Sequence, residues 1–185
     1  MRYIMLVSNG FEEVEALTVI DLLRRGGVQA DLCSMTGEQT LCGSHGIKVL
    51  ADLVYGSGIP YEEVLQYDGV VLPGGLPNAH TLRDDERVTE ILKAFAAAGK
   101  LTAAICAAPC ALEAAGLLHG IEATSYPGHL DESKCIYMET PSVVSGKVVT
   151  SRGVGTAIDF ALTLLREAGR PEEARRVAAA ILYEG

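Results

Sequence analysis

The stretch Leu101-Thr-Ala-Ala-Ile-Cys-Ala-Ala-Pro109 decides how the rest of the chain is read. Its first five residues are small or apolar and predict a short, buried parallel strand. Pro109 and the Ala- and Leu-rich Cys110–Leu118 predict a helix, because proline at the first helical position lacks an N–H that would be unbonded there anyway. A strand that turns at once into a helix leaves Cys106 on the bend. Its side chain is then pushed out of the sheet, while the N–H groups of the first helical turn face the same space. This is the thiol counterpart of the serine nucleophile elbow. A helix N-terminus favours negative charge, so the same placement predicts a thiol pKa below the free value of about 8.5. The competing reading is an inert core cysteine, since cysteine is among the most buried residue types.

Outward from this stretch, strand-like and helix-like segments alternate. Tyr3–Val7 is a continuous apolar run, followed by a turn at Ser8-Asn9-Gly10. Glu12 to Arg25 carries Val14, Leu17, Ile20, Leu22 and Leu23 at helical spacing and stops at Gly26-Gly27. Val28–Ser34 reads as a second strand and Gly69–Gly75 as a third, ending in a Gly-Gly turn. Between them, Met35 to Tyr55 reads as a hairpin-like excursion with β-prone pieces such as Ile47–Leu50, and Glu62–Leu65 as a helical turn. Asp84 to Ala98 is amphipathic, with Val88, Ile91, Leu92 and Phe95 on one face. Downstream lie a strand-like Ile121–Ser125, a polar loop from Pro127 to Lys134, and a hairpin over Val143–Thr150 turning at Ser145-Gly146. Helices over Gly155 to Ala168 and Pro171 to Tyr183 close the chain. This alternation predicts an α/β fold with a mostly parallel sheet covered on both faces. No repeat or linker divides residues 1–185, so a single domain is expected.

With 49% hydrophobic and 21% charged residues, the composition is that of a globular protein. A formal charge of −9 argues against nucleic acid or an anionic membrane as a stable partner. No apolar run approaches the roughly 18 residues of a membrane span, and the first residues are too short for a secretory signal. A cytoplasmic chain is expected. The five cysteines, at 33, 42, 106, 110 and 135, are odd in number and irregularly spaced, which suits free thiols better than a disulfide framework. No CxxC pair or paired histidine motif predicts a metal centre. Cys106 and Cys110, four apart on one predicted helix face, offer only a weak resolving-thiol or soft-metal alternative.

In a parallel sheet, ligands bind outside the carboxyl ends of the strands. Three predicted turns gather there: Ser8–Glu15, Pro73–Asn78 and Cys106–Pro109. Glu12, Glu13 and Glu15 open the first helix, and complementing the helix dipole is explanation enough for two of them. Glu15 sits further in, where a partly buried carboxyl beside a thiol would have a raised pKa and could shuttle a proton. Gly74 and Gly75 are explained by a turn needing positive φ. They also suit an oxyanion pocket made by the N–H groups of Gly75 and Ala107.

Four pieces, in order along nearly the whole chain, carry a specific resemblance: Gly10-Phe-Glu-Glu-Val-Glu15, Val70-Val-Leu-Pro-Gly-Gly75, Ala103-Ala-Ile-Cys-Ala-Ala-Pro109 and Thr150-Ser-Arg-Gly-Val-Gly-Thr156. The chain resembles the ThiJ/PfpI superfamily, in the branch of the Parkinson-associated deglycase and its bacterial relatives. The resemblance implies a three-layer sandwich, flavodoxin-like and similar to class I glutamine amidotransferases. It implies Cys106 as nucleophile, Glu15 as the acid bonded to it, backbone donors at Gly75 and Ala107, and no cofactor. It also implies a homodimer paired through the first helix and the Gly43–Gly46 turn, with His45 and Arg25 of one subunit near the other's entrance.

Two departures stand out. Tyr126-Pro127 replaces the histidine–proline of many relatives, and tyrosine is no imidazole base near neutral pH. His129, three residues on, is the only nearby substitute, although a solvated loop histidine is the plainer reading. His45 stands where relatives carry arginine. For His80 and His119 the expectation is a surface role. Three functions follow. The first is cysteine-dependent conversion of small α-oxoaldehydes such as methylglyoxal, or of their adducts, to hydroxy acids. The second is redox sensing through an oxidisable cysteine. The third is a cysteine amidase or peptidase, weakened by Tyr126.

Overall fold

A computed structural model describes residues 1–185. Eleven strands and seven helices follow in chain order: β1 (Arg2–Val7), α1 (Glu13–Arg25), β2 (Gln29–Ser34), β3 (Thr40–Cys42), β4 (Lys48–Leu50), β5 (Leu53–Val54), α2 (Tyr61–Val64), β6 (Gly69–Leu72), α3 (Asn78–Asp84), α4 (Glu86–Ala97), β7 (Leu101–Ile105), α5 (Pro109–Ala114), β8 (Glu122–Ala123), β9 (Ile136–Tyr137), β10 (Ser142–Ser145), β11 (Val148–Ser151), α6 (Ala157–Glu167) and α7 (Pro171–Ala180). A 3-10 turn at Val154–Thr156 precedes α6. Seven strands form the central sheet in the order β10-β11-β7-β6-β1-β2-β5. All its pairings are parallel except β10 with β11, the hairpin that Ser145-Gly146 predicts.

Two apolar cores sandwich the sheet. Along β1, side chains alternate faces with the period of a strand. Tyr3, Met5 and Val7 meet Val19 and Leu23 of α1 and Phe160 and Leu164 of α6 on one side. Ile4 and Leu6 meet Ile91 and Phe95 of α4 and Leu112 of α5 on the other. A strand buried on both faces reads as a continuous apolar run, which is why the short runs in the sequence mark the central strands. No helix is long and apolar enough to cross a membrane.

The structure departs from expectation in five places. The amphipathic helix expected from Asp84 begins at Glu86, because Asp85 caps it by accepting the N–H of Arg87. The residues before it form a separate helix, α3, which buries Asn78, Ala79 and Leu82. The helix after Pro109 ends at Ala114 rather than Leu118, and a left-handed Gly116 (φ 79°) follows its C-terminus. Of the expected strand Ile121–Ser125, only Glu122–Ala123 pairs, with Ile136–Tyr137 outside the central sheet. Within the Met35–Tyr55 excursion, β3 and β4 form the expected hairpin, while β5 adds an edge strand beside β2.

Candidate active site

β7 lies between β6 and β11, so the residue after β7 is flanked by the loops leaving both neighbours. That residue is Cys106, with φ of 65°. A left-handed conformation is sparsely populated by residues with a side chain and persists only where its surroundings hold it. Here the Cys106 N–H donates to Ser151 O (3.0 Å), and the Cys106 carbonyl accepts the Tyr126 N–H (2.8 Å). With α5 starting at Pro109, this is the predicted elbow.

Glu15, in the first turn of α1, is fully buried. Its Oε2 accepts the Gly74 N–H at 2.8 Å, while its Oε1 has no hydrogen-bond partner. Gly74 makes room for the arrangement. A Cβ there would stand 2.5 Å from Cys106 Cβ, 2.7 Å from Glu15 Oε2 and 3.1 Å from Cys106 Sγ. Gly75 adopts φ of 87°, and a Cβ on it would collide with the backbone of Gly10 to Glu12. Asn78 braces this loop. Its Nδ2 donates to the carbonyls of Pro73 and Gly74, and its Oδ1 accepts the Ser8 N–H.

Burial raises Glu15 to about 7, against the opposing pull of the Cys106 thiol and the Gly74 N–H. Burial also pushes Cys106 up to about 12, reinforced by the charge of Glu15, while the N–H groups of Ala107 and Gly75 pull it down. The expected depression of the thiol pKa is therefore overturned. α5 spans six residues and starts beyond the bend, and its field is outweighed by desolvation and an adjacent carboxylate. The two groups titrate as a pair. One proton leaves near 7 and the second near 12, and in between thiol and carboxyl share a single proton. With that proton on Glu15, the sulfur is a thiolate facing the N–H groups of Gly75 and Ala107.

Above the pair opens a cavity of about 600 Å³. Cys106, Glu15, Gly75, Ala107 and Tyr126 all line it, as the sequence anticipates. Gly74 acts from behind, through Glu15. His129, which the sequence offers as a substitute for the missing histidine, also stands in the wall, and so does Arg152, which escaped the sequence reading. Arg152 follows β11 directly and ion-pairs with Glu139 at 3.7 Å; its place at a strand's carboxyl end was the available signal. His129 belongs to the loop hooked onto Cys106 by Tyr126. Its ring lies edge-on to Tyr126 (5.9 Å) and 6.3 Å from the His80 ring, and burial and His80 lower its pKa. The solvated-loop reading of His129 gives way to a half-buried wall position.

His45 and Arg25 are not in this wall. Arg25 sits at the far end of α1, paired with Asp21 at 2.7 Å. His45 clasps Glu13 instead: its N–H donates to Oε1 (2.8 Å) and its Nδ1 approaches Oε2 (2.9 Å). Burial alone would raise Glu13, but the His45 ring and the N–H groups of His45 and Ile47 hold it down to about 2. The helix dipole is thus not the reason for Glu13, which is buried and staples the 43–47 turn to α1. Glu12, Glu13 and His45 bring their ligand atoms within 4.8 Å of one another, a spacing that this staple already explains. Cys110 is buried, with Sγ donating to Ala79 O at 3.8 Å. Since Cys106 precedes α5, the shared helix face supposed for the two cysteines does not exist.

Residues 1–167 match the DJ-1/PfpI family. The chain belongs to that family. It is 34% identical over 187 residues to the Parkinson disease protein 7 homolog of Danio rerio, covering 99% of this chain and 97% of that one. It is 37% identical over 180 residues to protein DJ-1 homolog A of Arabidopsis thaliana, covering 95% of this chain but 45% of that protein, so it spans less than half of that relative. Among solved structures, oxidised Toxoplasma gondii DJ-1 superposes with a TM-score of 0.89 at 36% identity, covering 100% of this chain and 99% of the other. DJ-1beta of Drosophila melanogaster superposes with a TM-score of 0.88 at 30% identity, covering 100% of this chain and 98% of the other. The family's flavodoxin-like, mostly parallel fold is the one described above.

Proposed function

We propose that this DJ-1/PfpI member is a cofactor-independent cysteine enzyme converting α-oxoaldehydes to α-hydroxy acids. The observation that carries the reading is a fully buried carboxyl, raised to about 7, with one oxygen unpaired beside Cys106 and beneath two backbone donors. The thiolate, its proton lodged on Glu15, adds to the aldehyde carbon. The Gly75 and Ala107 N–H groups receive the developing oxyanion, a contribution of roughly 2.7–4 kcal/mol per donor where one has been measured. Glu15 protonates that oxygen to give a hemithioacetal. Its carboxylate then removes the hydrogen from the former aldehyde carbon and returns a proton to the neighbouring carbon, passing through an enediol. The product is a thioester. Water cleaves its S–C bond, releasing the hydroxy acid and restoring the thiol, so methylglyoxal plus water gives lactate.

Purified protein is expected to form lactate from methylglyoxal without glutathione or added metal. No lactate above the uncatalysed rate overturns the reading. The second reading, a redox sensor, draws on the relative solved in an oxidised form. Peroxide-dependent oxidation confined to Cys106 in a protein that turns over no aldehyde would favour it.

We also infer a two-fold pair of chains. On α1, Val14 is 49% and Leu17 39% exposed, and on the adjoining hairpin segment Ile47 is 54% and Leu50 67% exposed. A helix apolar on a second side should be covered there, and an isologous interface would cover both copies at once. Light scattering at micromolar concentration is expected to give twice the 19.6 kDa of one chain; the single mass refutes the pair.

A further inference from the structure

The cavity over Cys106 is larger and more apolar than a three-carbon aldehyde requires. At about 600 Å³ it falls in the range of roughly 300–1,000 Å³ typical of sites for drug-sized ligands. Methylglyoxal would place a single methyl group beyond its second carbonyl.

Three apolar side chains stand in the cavity wall with nothing over them. Leu76 is 49% exposed, Tyr126 54% and Val154 47%. Topology brings them together from three directions. Leu76 lies in the loop after β6 and Val154 in the 3-10 turn after β11, the two strands that flank β7. Tyr126 is fixed over the elbow by its N–H bond to the Cys106 carbonyl. Its ring and the sulfur both border the space over Gly153: a Cβ on Gly153 would touch Tyr126 Cδ2 at 3.6 Å and Cys106 Sγ at 3.8 Å.

The charges define what the wall can receive. The α1 side of the cavity carries Glu12 and Glu15. Of the two basic residues opposite, Arg152 is engaged with Glu139, and His129 is half-buried beside Tyr126 and His80. A carboxylated or phosphorylated tail would meet two acids and no free cation. An apolar tail would find Leu76, Tyr126 and Val154.

We propose that the pocket selects α-oxoaldehydes bearing a bulky apolar substituent, branched alkyl or aryl, which Leu76, Tyr126 and Val154 cover while the two carbonyls sit at Cys106 and Glu15. The proposal rests on the oxoaldehyde chemistry above and adds the class of substrate. A single methylene in an apolar pocket discriminates by about 10–200-fold, so the substituent is expected to dominate selectivity.

The test compares kcat/KM for methylglyoxal and 4-methyl-2-oxopentanal in wild type, Leu76→Asn and Val154→Ser, with Cys106→Ser as the blank. Phenylglyoxal is a secondary substrate, because it also attacks arginine side chains. Wild type is expected to prefer the branched aldehyde by at least about tenfold, and each variant to lose most of that preference. The ratio cancels any general loss of activity in the variants. No turnover of either aldehyde sinks the parent reaction. Turnover of methylglyoxal without preference for the branched aldehyde, or a preference that neither variant alters, overturns this proposal alone. A variant that loses the paired mass in light scattering while keeping the ratio would make the rim a subunit contact, and would overturn it too.

Discussion

Cys106→Ser loses lactate formation by on the order of 10⁴-fold or more in kcat/KM, the scale seen when a nucleophile is removed from a site whose parts act together. The serine hydroxyl occupies nearly the same volume, and the backbone of residue 106 keeps its N–H bond to Ser151 O and its carbonyl bond from the Tyr126 N–H, so the urea midpoint should stay near that of wild type. What disappears is the acidity match. Glu15, at about 7, can exchange a proton with a thiol but not with an alkanol. The other cysteines offer no substitute: burial raises Cys33 to about 12 and Cys110 to about 11, and neither has a raised carboxyl beside it. Iodoacetamide labelling read peptide by peptide gives an independent check. Cys106 labelling should climb as pH passes 7, because the doubly protonated pair holds no thiolate and the singly protonated pair does. Cys33 and Cys110 should label slowly across the same range, and labelling of all three at equal rates would refute the shared-proton account.

Glu15→Gln should lower turnover by about 10²–10⁴-fold, the usual contribution of a positioned acid–base group, yet stabilise the protein above neutral pH. The amide keeps an acceptor for the Gly74 N–H and a donor toward the sulfur, but carries no transferable proton. The sign of the stability effect follows from the raised pKa. In wild type, the contribution of Glu15 is complete below its unfolded value of 4.5 and is lost as pH rises through about 7. A rise of that size corresponds to about 3 kcal/mol as an upper bound. The variant escapes the loss, so its urea midpoint relative to wild type should climb between pH 4.5 and 7 and level off above. Full retention of turnover would remove Glu15 from the mechanism; a pH-independent stability difference would mean that folding does not raise the pKa of the carboxyl.

Local chemistry made the elbow legible. Pro109 can open a helix but hardly continue one, and the small residues before it suit only a buried strand, so Cys106 had to fall on the bend. The strand runs of β1, β6 and β7 were legible for the same reason, each being covered on both faces. Of the two raised proton affinities, that of Glu15 was anticipated and that of Cys106 was not. They depend on how closely α1 packs against the Gly74 loop, and residues 59 apart in sequence carry no sign of that contact. The Glu13–His45 staple, 32 residues apart, was hidden likewise. α3 was missed because Asn78, His80 and Thr81 break its apolar pattern, while the side chain of Asn78 is turned inward to brace the loop.

The hydrogen bonds that hold Cys106 left-handed come from residues 126 and 151, both later in the chain. During synthesis, then, the cysteine emerges well before the groups that make it special. Until β11 has docked against β7, it is an ordinary thiol in an ordinary turn, without its bend or its apolar surround. The bend on which the proposed chemistry depends is complete only when the last third of the polypeptide is in place.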